Sequence, residues 1–218
     1  MSPEGEADYR ALFVRVDRPF TRGVQTTVSY TLAKSTDNGT TIIDFYNPDL
    51  NFGPSNTERR HTIVASGSVM LPAAVMVGGV WTMRSAMPFS ATAGRDLNND
   101  GAVTDLVPGT TRNSGNRNMD LEAVNVWRAA NGLKAVTSAD IDSNRYSSID
   151  LRASRAFRLQ GNRKVEIIGQ VFNLLGTDNL IASGGVGSYV SNALSDSFGK
   201  ILTSGNRQQA EIALRYAW

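Results

Sequence analysis

From Gly94 to Asp105 the chain reads Gly-Arg-Asp-Leu-Asn-Asn-Asp-Gly-Ala-Val-Thr-Asp, and no other stretch is better equipped for chemistry. Asp96, Asn98 and Asp100 put oxygen donors at alternate positions, Gly101 permits a sharp turn, and Asp105 follows. Hard cations such as calcium take oxygen sets of this kind. An EF-hand would need Glu at the twelfth loop position, where Val107 stands, so this is not an EF-hand. The same side chains also suit an Asx-rich turn that caps its own backbone. The spacing leaves both readings open, with calcium the one cofactor it suggests.

Other chemistries fail on composition. There is no cysteine and His61 is the sole histidine, so Cys-His pairs, multi-histidine zinc sites and disulfides fall away as bases for function. No Gly-rich phosphate loop joins a strand to a helix, and the formal net charge of +2 gives no footprint for nucleic acid. The chain is expected not to be an enzyme. A second polar set, Arg84, Arg152, Glu166, Gln170, Glu211 and Arg215, is expected on one face of the strands described next. It either lines a wet lumen, facing ligand or another part of the protein, or forms a charge ladder that solvates the wall.

The elements that position these residues are read from alternation. In the last stretch, Arg207 to Trp218, Gln208, Ala210, Ile212, Leu214, Tyr216 and Trp218 point one way; Arg207, Gln209, Glu211, Ala213, Arg215 and Ala217 point the other. One face is greasy and the other charged or small, as in a strand between lipid and water. The same alternation marks strands over Tyr9–Asp17, Val24–Ala33, His61–Leu71, Val75–Arg84, Ser147–Arg158 and Lys164–Phe172. About seven strands result, most near the ~9–11 residues a tilted strand needs to cross a bilayer. Their connections alternate short and long. The short ones lie at Arg18–Gly23, Pro72–Ala73 and Gln160–Arg163; the long ones at Lys34–Arg60, Ser85–Tyr146 and Leu175–Asn206. With Trp218 periplasmic, every short turn falls on the periplasmic side and every long loop outside. Within the longest loop, Met119-Asp120 leads into Leu121, Val124, Trp127 and Ala130 at helical spacing before Gly132. Trp127 is expected to pack beneath that loop rather than meet a ligand.

The fold class expected is therefore all-β, an antiparallel up-and-down transmembrane barrel fragment with long extracellular loops and one short loop helix. Length (218 residues), 41% hydrophobic and 19% charged residues suit an ordered β-rich chain. No run approaches the ~20 apolar residues of a spanning helix. Met1–Glu6 has neither a basic nor an apolar leader region, which suggests the tail end of a longer chain.

The closing residues resemble the terminal signal of Gram-negative outer-membrane barrels, with Leu214 and Tyr216 on the apolar face and Trp218 where Phe is usual. That resemblance implies recognition by the barrel-assembly machinery. Four more stretches resemble the C-terminal barrel of TonB-dependent receptors, especially the Oar-like group bearing an N-terminal carboxypeptidase-regulatory-like domain. Gly53-Pro-Ser-Asn-Thr-Glu-Arg-Arg-His61 is similar to that group's passage from loop to strand, with Glu58 where Asp is usual. Ser85-Ala-Met-Pro-Phe89 is similar to its Ser-Gly-x-Pro-Phe, with Ala86 replacing Gly; Gly94 to Asp105 is similar to its Asp-x-Asn-x-Asp-Gly loop. Gln170-Val-Phe-Asn-Leu-Leu175 is similar to the Val-Phe-Asn-Leu box before its last extracellular loop. The likeness runs from about Tyr9 to Trp218. It implies a barrel of about 22 strands around a plug, importing a ligand with energy delivered by the TonB complex. The plug and the N-terminal strands would be absent here, so this piece alone would transport nothing. The expected location is the cell outer membrane of a Gram-negative bacterium, in contact with its lipid. A secreted β-rich calcium-binding adhesion or scaffold domain is the alternative. It would bury one face of the sheet beneath a second sheet.

Overall fold

A computed structural model describes residues 5–39, 42–180, 189–203, 205 and 207–218. Seven long strands form one antiparallel sheet: β1 (Ala7–Thr21), β2 (Val24–Asp37), β4 (His61–Leu71), β5 (Val75–Arg84), β6 (Tyr146–Arg158), β7 (Lys164–Phe172) and β8 (Gln209–Ala217). Each pairs with the next along the chain, and a two-residue strand β3 (Gly53–Pro54) adds to the upper end of β2. Among the described residues β1 and β8 each pair on one side only, so the sheet is open at both edges.

The turn chemistry explains the short connections. Arg22 (φ 54°) and Gly23 (φ 80°) are both left-handed, as a two-residue hairpin turn matched to strand twist requires. The first hairpin therefore turns over two residues, not over the whole of Arg18–Gly23. β1 continues through Phe20 with a register irregularity between Arg18 and Thr21, where Pro19 cannot donate to the ladder. At its upper end β2 also outruns expectation, because Lys34 to Asp37 pair with Ala7 to Arg10. Between β4 and β5 the chain reverses through Pro72–Ala74, with Ala73 and Ala74 left-handed.

Cross-strand partners share a face, so the register settles sidedness. One rung joins Val69, Val77, Ala153, Gly169 and Ile212; a lower one joins Leu71, Val75, Arg155, Ile167 and Leu214. This face lies open: Ile212, Leu214 and Ile167 are 89%, 70% and 47% exposed. A second sheet covering it, as the adhesion-domain alternative requires, is absent among the described residues.

The buried apolar core sits instead in the long connections. Phe89, Ala91, Val107, Val124, Val136, Tyr189, Ala193, Phe198 and Ile201 form one cluster, with Trp127 and Leu121 packed against it. The helix α1 (Leu121–Ala130) supplies Val124 to it. Its N-cap is Asp120, whose carboxylate accepts from the Glu122 and Ala123 amides, and left-handed Gly132 follows its end. The expected loop Leu175–Asn206 falls partly outside the described residues, as does the start of Met1–Glu6.

Candidate functional site

The second face of the sheet is polar and carries all six residues of the polar set. Gly78, Arg152, Gln170 and Glu211 form a single rung across β5 to β8. Gln170 Nε2 donates to Glu211 Oε2 at 2.6 Å. Lower down, Glu166 and Arg215 are directly paired and 3.7 Å apart. At the upper end the Arg84 guanidinium lies 5.7 Å from the centre of the Tyr146 ring. Arg152 borders a groove of about 360 Å³ along this face, shared with Gln25, Thr27, Ser66, Ser68 and Asp150. Small hydroxyls and glycine keep the wall shallow on the β4–β5 side, which leaves the long Arg152 and Gln170 side chains room to project.

Above this wall the long connections fold into a cap whose parts are tied together by arginines, Arg112 and Arg128 buried and Arg59 and Arg117 partly so. Arg112, with its side chain 4% exposed, pairs at 2.7 Å with Asp37 at the end of β2, and also donates to the Asp37 carbonyl. Arg117 donates to Glu58 Oε2 (3.3 Å), to the Glu58 carbonyl (3.3 Å) and to the Ala86 carbonyl (3.1 Å). Arg59 donates to the Ser85 carbonyl at 2.7 Å, and burial lowers its pKa, with Arg84 adding to the effect. Arg128, on α1, donates to the carbonyls of Lys134, Ala193 and Ser195 at 2.7, 2.6 and 2.9 Å. Buried charges need such full sets of partners, so these arginines fix how the loops stack over the wall. Sequence reasoning passed over them, because Arg112 and Arg117 sit in an unpatterned Asn- and Ser-rich run. Their one signal was several arginines in a loop with few acids nearby.

The Asx-rich loop is organised around its own backbone. Asp96 accepts from the amides of Asp100 (3.2 Å) and Gly101 (2.9 Å), and Asn98 Oδ1 accepts from Asp100 (3.0 Å). Asp100 accepts from Ala102 (2.9 Å) and from Phe45 of the neighbouring loop (3.2 Å). Those amides, Ala102 first, hold the Asp100 carboxyl below its ordinary value. Asp105 lies apart from the other three in role: it is buried and accepts from Leu97 at 2.6 Å. Among the described residues no three His, Cys, Asp or Glu side chains converge as a metal cluster. The loop's own amides engage Asp96, Asn98 and Asp100, as a self-capped turn requires.

The other singled-out residues have structural partners. Trp127 Nε1 donates to the Ala93 carbonyl at 3.2 Å beneath the loop. His61 stacks on Tyr30, whose hydroxyl is 2.9 Å from Nδ1, on the apolar face. Leu214 and Tyr216 lie on that same face, and the Trp218 ring is 5.9 Å from that of Tyr216.

A sheet greasy and uncovered on one side, polar on the other, with three short turns at one end and a loop cap at the other, defines the wall of a membrane β-barrel. The chain belongs to the family of the outer membrane beta barrel domain, whose model matches residues 1–215. The family makes it a protein of the outer membrane. No curated protein and no solved structure gives a match.

Proposed function

We propose that the chain is the C-terminal barrel portion of a TonB-dependent outer-membrane receptor of the Oar-like group, in a Gram-negative bacterium. In the complete protein this wall would border a plug and a path for an imported ligand, with the TonB complex acting through the N-terminal part. The barrel-assembly machinery would read β8 through Leu214, Tyr216 and Trp218. The polar rung from Arg152 to Glu211, with the connections above tied to β2 by the buried Arg112, is the observation that supports this reading best. A wall of this kind faces a wet interior, which suits passage of a ligand.

The test is made on the native protein. It is extracted from outer membranes after in vivo photo-cross-linking, and the mass of the intact polypeptide is measured. The reading expects a polypeptide long enough for a plug and further strands, recovered in part as an adduct with TonB. A polypeptide of this length that forms no such adduct would sink it.

A further inference from the structure

From β4 to β8, all of whose residues are described, the apolar face carries one Asp, Glu, Lys or Arg side chain, and it is Arg155. Its rung neighbours are Val75 on β5 and Ile167 on β7, and Leu214 follows on β8. Arg155 is exposed and among the described residues forms no ion pair. On β1 and β2 the same face also bears Asp8, Arg10, Arg18 and Lys34, but from β4 to β8 Arg155 stands alone among apolar neighbours, and a charge there demands an explanation.

The side chain's direction supplies it. The Arg155 guanidinium lies 4.8 Å from the centre of the Phe157 ring, so it reaches down β6 toward the β6–β7 turn. Phe157, Val165 and Tyr216 share the next rung down, and the Trp218 ring is 5.9 Å beyond Tyr216. Aromatic rings gathered at one level of a barrel's outer surface mark the boundary between hydrocarbon and headgroups. The backbone of Arg155 is thus in the apolar band while its charged end lies at the aromatic row, the geometry of a snorkelling side chain.

We propose that Arg155, seated on Phe157, is a binding site for the phosphate of a phospholipid in the periplasmic leaflet. The planar guanidinium presents paired N–H donors that match two phosphate oxygens. The ring beneath shields its other face and holds it in place. The acyl chains would lie over Val75, Val77, Ile167 and Leu214. The inference rests on the outer-membrane barrel reading with the short turns periplasmic.

The experiment uses the native protein in detergent micelles, titrated by native mass spectrometry with phosphatidylglycerol, or with diacylglycerol of the same chains, or with glycerol phosphate. Phosphatidylglycerol should be retained roughly tenfold better than diacylglycerol, as one charge-assisted contact gives. Arg155→Gln should erase that ratio, and Arg155→Lys, which keeps the charge without the fork, should reduce it. An unchanged ratio in Arg155→Gln would overturn the proposal. If Arg155→Gln does not assemble, an undiminished ratio in Arg155→Lys would do the same. Equal competition by glycerol phosphate would reassign the site to free phosphate and overturn the lipid claim. A protein that leaves the membrane fraction in plain buffer would instead overturn the barrel reading itself.

Discussion

Phe89 and Tyr189 stack nearly parallel, with ring centroids 4.2 Å apart and planes 11° from each other. They come from different connections, so their contact joins the β5–β6 loop to the β7–β8 loop. The Tyr189 hydroxyl then accepts from Asn116 Nδ2 at 2.6 Å and from the Asn144 amide at 3.0 Å. Removing the Phe89 ring from this buried site should cost about 3–5 kcal/mol, the range for a large aromatic cut to alanine in a core. Phe89→Ala is expected to speed hydrogen exchange in 85–145 and 189–203 while leaving β6 and β7 protected. Uniform loss across strands and loops would show that the cap is not a separate packing unit.

Gly115 makes the complementary case. A Cβ there would overlap Phe89 Cδ1 and Cε1, and the backbone is anchored where the Gly115 amide donates to the Phe89 carbonyl at 2.8 Å. Gly115→Ala should therefore destabilise the cap by about 1–3 kcal/mol through overpacking. The measurement is protease resistance of the loops, and an unchanged cleavage rate would refute the tight approach.

The Arg112–Asp37 pair ties cap to wall. Arg112→Met keeps most of the side-chain volume but leaves a half-buried carboxylate with no cation, a change worth about 3–5 kcal/mol when a buried pair is broken. Cleavage within 42–60 should become faster. The double variant Arg112→Met, Asp37→Leu should recover much of the loss, and failure to recover would mean that the pair is not what binds the two parts.

Acid should loosen the cap before the wall. Asp100 is held below its ordinary carboxyl value by the Ala102 amide first, and Asp140 by the Thr137 amide and hydroxyl. A carboxyl depressed in the folded state stabilises above its unfolded value of about 4, and that contribution is lost as pH falls through the lower folded value. Loop exchange rates at 96–102 and 137–140 should thus rise below about pH 4, with millimolar calcium leaving the profile in place. A calcium-dependent shift at Asp96 and Asp100 would favour the metal-loop reading over the self-capped turn.

Sidedness has its own test in two variants at neighbouring rungs. Ile212→Arg puts a charge on the uncovered apolar face and should lower the assembled fraction by about 2–4 kcal/mol if the site is near the bilayer midplane. Gln170→Arg, on the polar face, should assemble normally. Heat-modifiable mobility on gels reports both, and equal behaviour would mean that the two faces meet the same solvent.

Much of the wall was legible because alternation is local: a strand with Ile212, Leu214 and Tyr216 at every second position declares its faces without help from the rest of the chain. The helix was legible for the same reason, from Asp120 to Gly132. Strand ends were less so, since Pro19 reads as a stop although a register irregularity lets β1 run on to Thr21. Arg155 escaped notice because alternation seeks the majority pattern, and a single charge among the outward residues of β6 reads as noise. The cap was beyond sequence reasoning. Its contacts, such as Arg117 to Glu58 and Arg128 to Ala193, join loops that no periodicity relates.

β1 and β8 descend in the same sense, because an odd number of long strands separates one free edge from the other. Sealing one directly to the other would produce a parallel seam in an otherwise antiparallel ring. A wholly antiparallel cylinder containing this wall must therefore draw an odd count of additional staves, beginning and ending with one that ascends. A second copy in the same membrane orientation offers only descending edges, and joining it to this one would make parallel seams as well.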